Sequence, residues 1–116
     1  MSNIRTKLAN EIGRTVIETW QSDDGVSWYR KWSDGWIEQG GDGKGNTYTS
    51  PVALTFQIPF STANYTISAV CVDTTSNNWA KHVYFSGKTT TGAKATTTIN
   101  GTNGAVMPFN WYACGY

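Results

Sequence analysis

One histidine, two cysteines and eight carboxylates are the groups that 116 residues offer for covalent, acid–base or metal chemistry. Nucleophilic catalysis needs a base beside an activated serine or cysteine. His82 is the sole histidine, and it sits in the alternating run Lys81-His82-Val83-Tyr84-Phe85 on the face of Tyr84. That is a surface or hydrogen-bonded position rather than a general base. A structural metal site wants several Cys, His or carboxylate groups at ligand spacing; Cys71 and Cys114, widely separated, do not make that pattern. The run "GDGKGNT" lacks the Gly-Lys-Ser/Thr of a phosphate loop, and Glu38 stands where the earlier glycine belongs. It also lacks the alternating acids and terminal glutamate of a calcium loop. Asp34, Glu38, Asp42 and Asp73 could supply paired carboxylates for glycoside hydrolysis, yet nothing in their spacing brings two together. Asn64-Tyr65-Thr66 and Asn100-Gly101-Thr102 are glycosylation acceptors only in a secretory setting. The sequence therefore predicts no catalytic set, no metal and no cofactor.

What remains is recognition. Six tryptophans and six tyrosines on a polar chain can stack on apolar sugar faces while amides and carboxylates meet the hydroxyls. Most of these rings are expected in the core. The best binding candidates are Trp79 with Asn77, Asn78 and Asp73, in a polar loop at the end of one strand. Next are Asn100 and Asn103 in the 100–104 turn.

Such residues need a scaffold, and composition says which kind. Leu, Ile, Val and Phe together number only twenty, against 17 Thr, 9 Ser and 9 Asn. So few aliphatics would suggest disorder only with high net charge, and the charge is +1. Sixteen aromatics, each burying roughly 150–250 Å², restore the missing apolar area. The chain suits one β-rich domain. Scattered Lys and Arg leave no footprint for nucleic acid, no run is long enough to insert in a membrane, and the N-terminus lacks the apolar core of a signal peptide. The thiols are expected to be reduced and buried.

Residues 1–14 stand apart from the rest. Ile4, Leu8, Ile12 and Val16 recur every four residues, the stripe of a short helix that must pack on something, or else the segment is a frayed tail. From Thr15 the period becomes two. Residues 15–20 form a strand and 22–25 a turn. A hairpin then closes at Asp34-Gly35, a two-residue turn placing Lys31 opposite Glu38 and Trp32 beside Ile37 on one face. Residues 40–50 read as a glycine-dense loop, and 52–58 as a half-buried strand. Residues 65–73 read as a central strand, 81–86 as another, 88–98 as an exposed edge strand, and 109–116 as the closing strand. Seven or eight strands imply an antiparallel β-sandwich over 15–116.

Three pieces in order, "WYRKWSDGWIEQGG", "VALTFQIPFSTANYTISAV" and "FNWYACGY", resemble the C-terminal tip domain of bacteriophage tail fibres. Trp28, Tyr29, Lys31, Gly35, Ile37, Gln39 and Gly40 fit its hairpin, and Val52 to Phe60 fits its following strand. Trp111, Ala113, Gly115 and Tyr116 fit its ending. The resemblance implies a non-catalytic adhesin at a fibre end in the virion, made in the host cytoplasm. It also implies a parallel homotrimer that binds a bacterial surface glycan or outer-membrane protein. Residues 1–14 then become a stalk remnant packing three-fold through Ile4, Leu8 and Ile12. Fibre tips that hold iron do so through His-x-His repeats, which a single His82 excludes. The alternative is a monomeric carbohydrate-binding module of a bacterial glycan-degrading enzyme. A third reading, a short depolymerase with carboxylates at a subunit interface, has the least behind it.

Overall fold

Alternating apolar and polar residues, rich in Thr, Val and aromatics, give strands wherever one side can be buried. The computed structural model describes residues 14–72, 79–100 and 106–116, with the backbone of Thr102–Asn103. The strands are β1 (Val16–Gln21), β2 (Trp28–Trp32), β3 (Ile37–Gly45), β4 (Val52–Thr55) and β5 (Thr66–Cys71). They continue as β6 (Lys81–Thr89), β7 (Gly92–Ile99), the two-residue β8 (Thr102–Asn103) and β9 (Met107–Gly115). One sheet runs β1-β2-β3-β9-β5; the other runs β4-β7-β6, with β8 beside β7. All ladders are antiparallel, so the all-β sandwich expected from the sequence is present. No helix occurs among the described residues. The expected N-terminal helix or stalk, including Ile4, Leu8 and Ile12, lies outside them, and Val16 opens β1.

The core between the sheets is aromatic, as the composition requires. Phe56, Phe60, Tyr65, Phe109 and Trp111 cluster with Ile37, Ala95 and Ala113. Phe60 stacks on Tyr65 at 4.6 Å, and Phe56 meets both edge-on at 5.3 and 5.0 Å. Tyr65 carries a polar group into this cluster, and its hydroxyl donates to the Gly92 carbonyl at 2.8 Å. Burial pushes its ionisation above the ordinary range.

Several local readings are corrected by this architecture. The β2–β3 connection is a three-residue loop: Lys31 faces Ile37, and Arg30 faces Glu38. The Gly35 N–H donates to the Trp32 carbonyl at 3.0 Å, and Gly35 has φ +93°, the left-handed residue such a loop needs. Charge could not choose the register, because Arg30 and Lys31 are adjacent and Glu38 pairs with Arg30 at 3.5 Å. Trp32 therefore lies on the opposite face from Ile37, and it is half-buried rather than central to the core.

Residues 40–45, expected in a loop, continue β3 and pair with β9 from Gly45↔Met107 to Ile37↔Gly115. Glycine here makes room for rings. A Cβ on Gly43 would stand 2.7 Å from Cζ of Phe109. The segment 88–98, expected as an exposed edge or outer strand, is divided: Lys88 and Thr89 end β6, a turn follows, and β7 from Gly92 is the buried middle of its sheet, with Thr96 and Thr97 at 1% and 0% exposure. Threonine's methyl packs like valine there, which polarity alone conceals. Conversely β5, expected to be central, is an edge strand paired only with β9, and Val70 is 71% exposed.

The ladder of β4 stops at Thr55, short of the expected strand end, yet Phe56 and Phe60 still point inward. Gln39 takes over from the backbone. Fully buried, it donates through Nε2 to the Ile58 carbonyl at 2.8 Å, and its Oε1 accepts the Ile58 N–H at 3.2 Å. Cys71 faces Phe109 and Cys114 faces Thr66, five steps apart along β9, or roughly 17 Å. They are too distant to bridge, and both thiols are half-buried.

Candidate functional site

Strand direction sorts the molecule into two ends. Arg14, the first described residue, and Tyr116 both lie beside the β2–β3 turn, and these parts are tied together. The Arg14 guanidinium lies 5.0 Å from the Trp32 ring and 5.3 Å from the Trp36 ring, a cation–π arrangement. It also pairs with Asp34 at 3.4 Å, whose Oδ2 accepts the Tyr116 hydroxyl at 3.3 Å. Tyr116 meets Trp36 edge-on at 5.1 Å. Sequence reading missed this clamp; its signal was a basic residue just before the first strand and a tyrosine at the far end of the last.

The Trp36 N–H donating to Asp34, then the Arg14 charge and the Tyr116 hydroxyl, hold the Asp34 carboxyl below its ordinary 3.8 despite an opposing desolvation. A carboxyl with a depressed folded pKa contributes stability above its unfolded value and loses it as pH falls through the folded one. Asp24 is lowered too, first by the Ser22 hydroxyl and then by the Val26 N–H. The melting temperature should therefore drop as pH is taken from 5 to 3. Converting Asp24 and Asp34 together to asparagine should flatten that slope, and an equal slope in the double variant would reject the assignment.

The opposite end carries the described residues of three connections, 46–51, Val72 with Trp79 and Ala80, and Asn100 with Val106. Exposed rings and aliphatics crowd it: Tyr48, Val72, Trp79 and Val106. Of the binding candidates, Trp79 is 55% exposed. Asn100 lies beside it in the chain's folding: its Oδ1 accepts the Ala80 N–H at 2.8 Å, and its own N–H donates to the Ala80 carbonyl at 2.6 Å. With φ +52°, Asn100 forms the turn after β7 and clamps the residue following Trp79. Asn100 and Trp79, candidates far apart in the sequence, are thus brought close together. Asn77, Asn78 and Asp73 lie outside the described residues, and Asn103 is described only as backbone in β8.

Two open depressions flank the sandwich. One of about 330 Å³ is lined by Thr19, Trp20, Gln21, Trp28, Tyr29 and Arg30. Another of about 620 Å³ lies between the edges of β5 and β6. The only histidine, His82, is exposed on β6 opposite Thr98. Among the described residues, no three His, Cys, Asp or Glu groups come together as metal ligands. No helix among them is long and apolar enough to cross a membrane.

Residues 31–116 match the model of the family described as tail fiber protein gp53-like, C-terminal. The chain belongs to that tail fibre family. The match starts in β2 and takes in both sheets, the clamp partners Asp34 and Tyr116, and the loop end with Trp79 and Asn100.

Solved structures share the fold. An N-truncated R2-type pyocin tail fiber superposes with a TM-score of 0.68 at 24% identity, covering 96% of this chain and 42% of the other. The P. aeruginosa R2 pyocin fiber gives 0.67 at 24%, covering 96% and 29%. An N-truncated R1-type pyocin tail fiber gives 0.59 at 20% identity, covering 96% and 95%. The chain thus spans less than half the length of the R2-type fibre chains. No curated protein matches it.

Proposed function

We propose that this chain is the non-catalytic tip of a phage or prophage tail fibre, binding a bacterial surface glycan or outer-membrane protein as a homotrimer. Family membership over residues 31–116 carries the reading. The arrangement of the ends supports it. Arg14, Asp34, Trp36 and Tyr116 meet at one end, where a fibre shaft would attach ahead of β1. Tyr48, Val72, Trp79 and Val106 are exposed at the other end, where they would meet a cell. Loops held by a rigid sheet scaffold are where recognition residues concentrate. In this reading Trp79 is the leading contact, Asn77, Asn78, Asp73 and Asn103 are further candidates, and Asn100 holds Ala80 in place. The protein would act at the virion's tail, and residues 1–14 would continue the shaft.

Two measurements test this. Light scattering across micromolar concentrations should give the mass of three chains; a monodisperse monomer would count against the assembly. A fluorescent fusion should decorate bacteria and fail on a mutant lacking one defined surface polysaccharide or outer-membrane protein. Trp79→Ala should weaken decoration about tenfold, as loss of an exposed aromatic anchor does, while leaving the mass unchanged. Undiminished decoration would remove the 73–79 loop from the binding surface.

A further inference from the structure

The five-stranded sheet has two unlike edges. At one, Trp20 pairs with Tyr29 and Glu18 with Lys31, while Tyr29 pairs with Gln39 and Lys31 with Ile37. Gln39 and Ile37 face the core, so Glu18, Trp20, Tyr29 and Lys31 face the same side. The second sheet packs chiefly on β3, through β4 and β7, and on β5, through β6. The β1–β2 ribbon overhangs it, and its core-side face stays open: Trp20, stacked on Tyr29 at 5.9 Å, is 40% exposed. At the other edge the sandwich is unclosed. Among the described residues β5 pairs with β9 alone and β6 with β7 alone. Between them runs the 620 Å³ groove, lined by Ile67, Ala69, Val83 and Phe85, which pack on the core yet remain half-buried. Lys88 also lines it, its Nζ donating to the Tyr65 carbonyl at 2.5 Å.

We infer that the β1–β2 ribbon of one copy seats in the β5–β6 groove of the next, head to tail, with Trp20 against Ile67 and Glu18 beside Lys88. The inference rests on the homotrimer of the proposed function and names the two faces that would build it. Height, side and charge favour a second copy as the occupant. β1 and β5 run in the same direction, because β2, β3 and β9 separate them in an antiparallel sheet. Rotation about an axis along the strands keeps every residue at its height, and a head-to-tail contact repeated by such a rotation closes a ring. Across the ladders Trp20 is level with Tyr29, Gln39, Ala113 and then Ile67, a groove residue. Glu18 is level with Lys31, Ile37 and Gly115, one step past the Cys114↔Thr66 pair, and so with Tyr65, which holds Lys88. Trp20 and Ile67 also face the same side of the sheet. The stretch from Val16 to Gly25 carries Glu18, Asp23 and Asp24 and no base, whereas β5 and β6 carry Lys81, His82 and Lys88 and no acid. Such complementarity steers two surfaces together and fixes their register. The contact would also cover free sheet edges, which otherwise invite unspecific pairing.

The test is the mass of the full chain by light scattering through a dilution series. Trp20→Ala should show the mass of one chain at concentrations where the unaltered chain shows that of three, with the circular dichroism of its sheets retained. Glu18→Lys and Lys88→Glu should each raise the concentration at which the trimer dissociates about tenfold, and the two together in one chain should bring it back. Both positions are exposed, so this exchange of charges decides the question even if Trp20→Ala fails to fold. A folded Trp20→Ala that keeps the three-chain mass overturns the contact, leaving the trimer standing and the groove to another occupant. A double variant no tighter than the weaker single one does the same. An unaltered chain with the mass of one overturns this contact and the trimer reading together.

Discussion

Replacing Trp111 by alanine should destabilise the domain by about 3–5 kcal/mol, the range for truncating a buried aromatic to alanine. Trp111 lies on β9, the strand between β3 and β5, and is 6% exposed. Its ring reaches the second sheet, 5.5 Å from Phe56, and its Nε1 donates to the Asp42 carbonyl at 3.3 Å. Alanine would leave a cavity between the sheets and remove that donor from a part-buried carbonyl. Trp111→Phe should recover much of the packing but not the hydrogen bond, and so fall between. Denaturant melts at one fixed protomer concentration are the measure, since any assembly makes stability concentration-dependent. A loss under 1 kcal/mol in the alanine variant would show that the two sheets do not depend on this ring. Trp32→Ala should cost less, because Trp32 is only half-buried.

The contrast between these two tryptophans shows what was legible in the sequence and what was not. Trp111 sits in a clean alternation, Met107, Phe109, Trp111 and Ala113, and every one of these residues is buried. Periodicity alone places it. Trp32 stands two residues before a turn whose length decides its face, and a one-residue change of loop flips it to the other side. Pairing of charges could not settle that length, because two basic residues were available to Glu38. The same limit hid the β3 extension. Its glycines look like a loop until Phe109 and Trp111 are known to lie over them, and those rings are contributed from the far end of the chain. Thr96 and Thr97 misled for the opposite reason: polar in composition, they occupy the middle of a sheet. At the loop end, Trp79 was visible as a ring in a polar segment. The convergence of Asn100 on Ala80 depended on two connections meeting in space, which no spacing of twenty residues can announce.

Gly92→Ala should be comparably damaging for a purely backbone reason. Gly92 opens β7 opposite Thr55 of β4, and a Cβ there would lie 2.0 Å from the Leu54 carbonyl oxygen and 3.1 Å from its carbon. No side chain can move aside, because the obstacle is the neighbouring strand itself. β4 would have to leave β7, and the chain just beyond it carries Phe56 and Phe60 into the core. The Gly92 carbonyl also accepts the Tyr65 hydroxyl, so the same displacement pulls on a third buried ring. The expected loss is about 3 kcal/mol, a fall in melting temperature on the order of 10–20 °C for a domain of this size. Lys94→Ala, two residues along the same strand on its exposed side, should change little and serves as the control. A Gly92→Ala protein melting within a few degrees of the unaltered chain would mean that β4 is not held this close to β7.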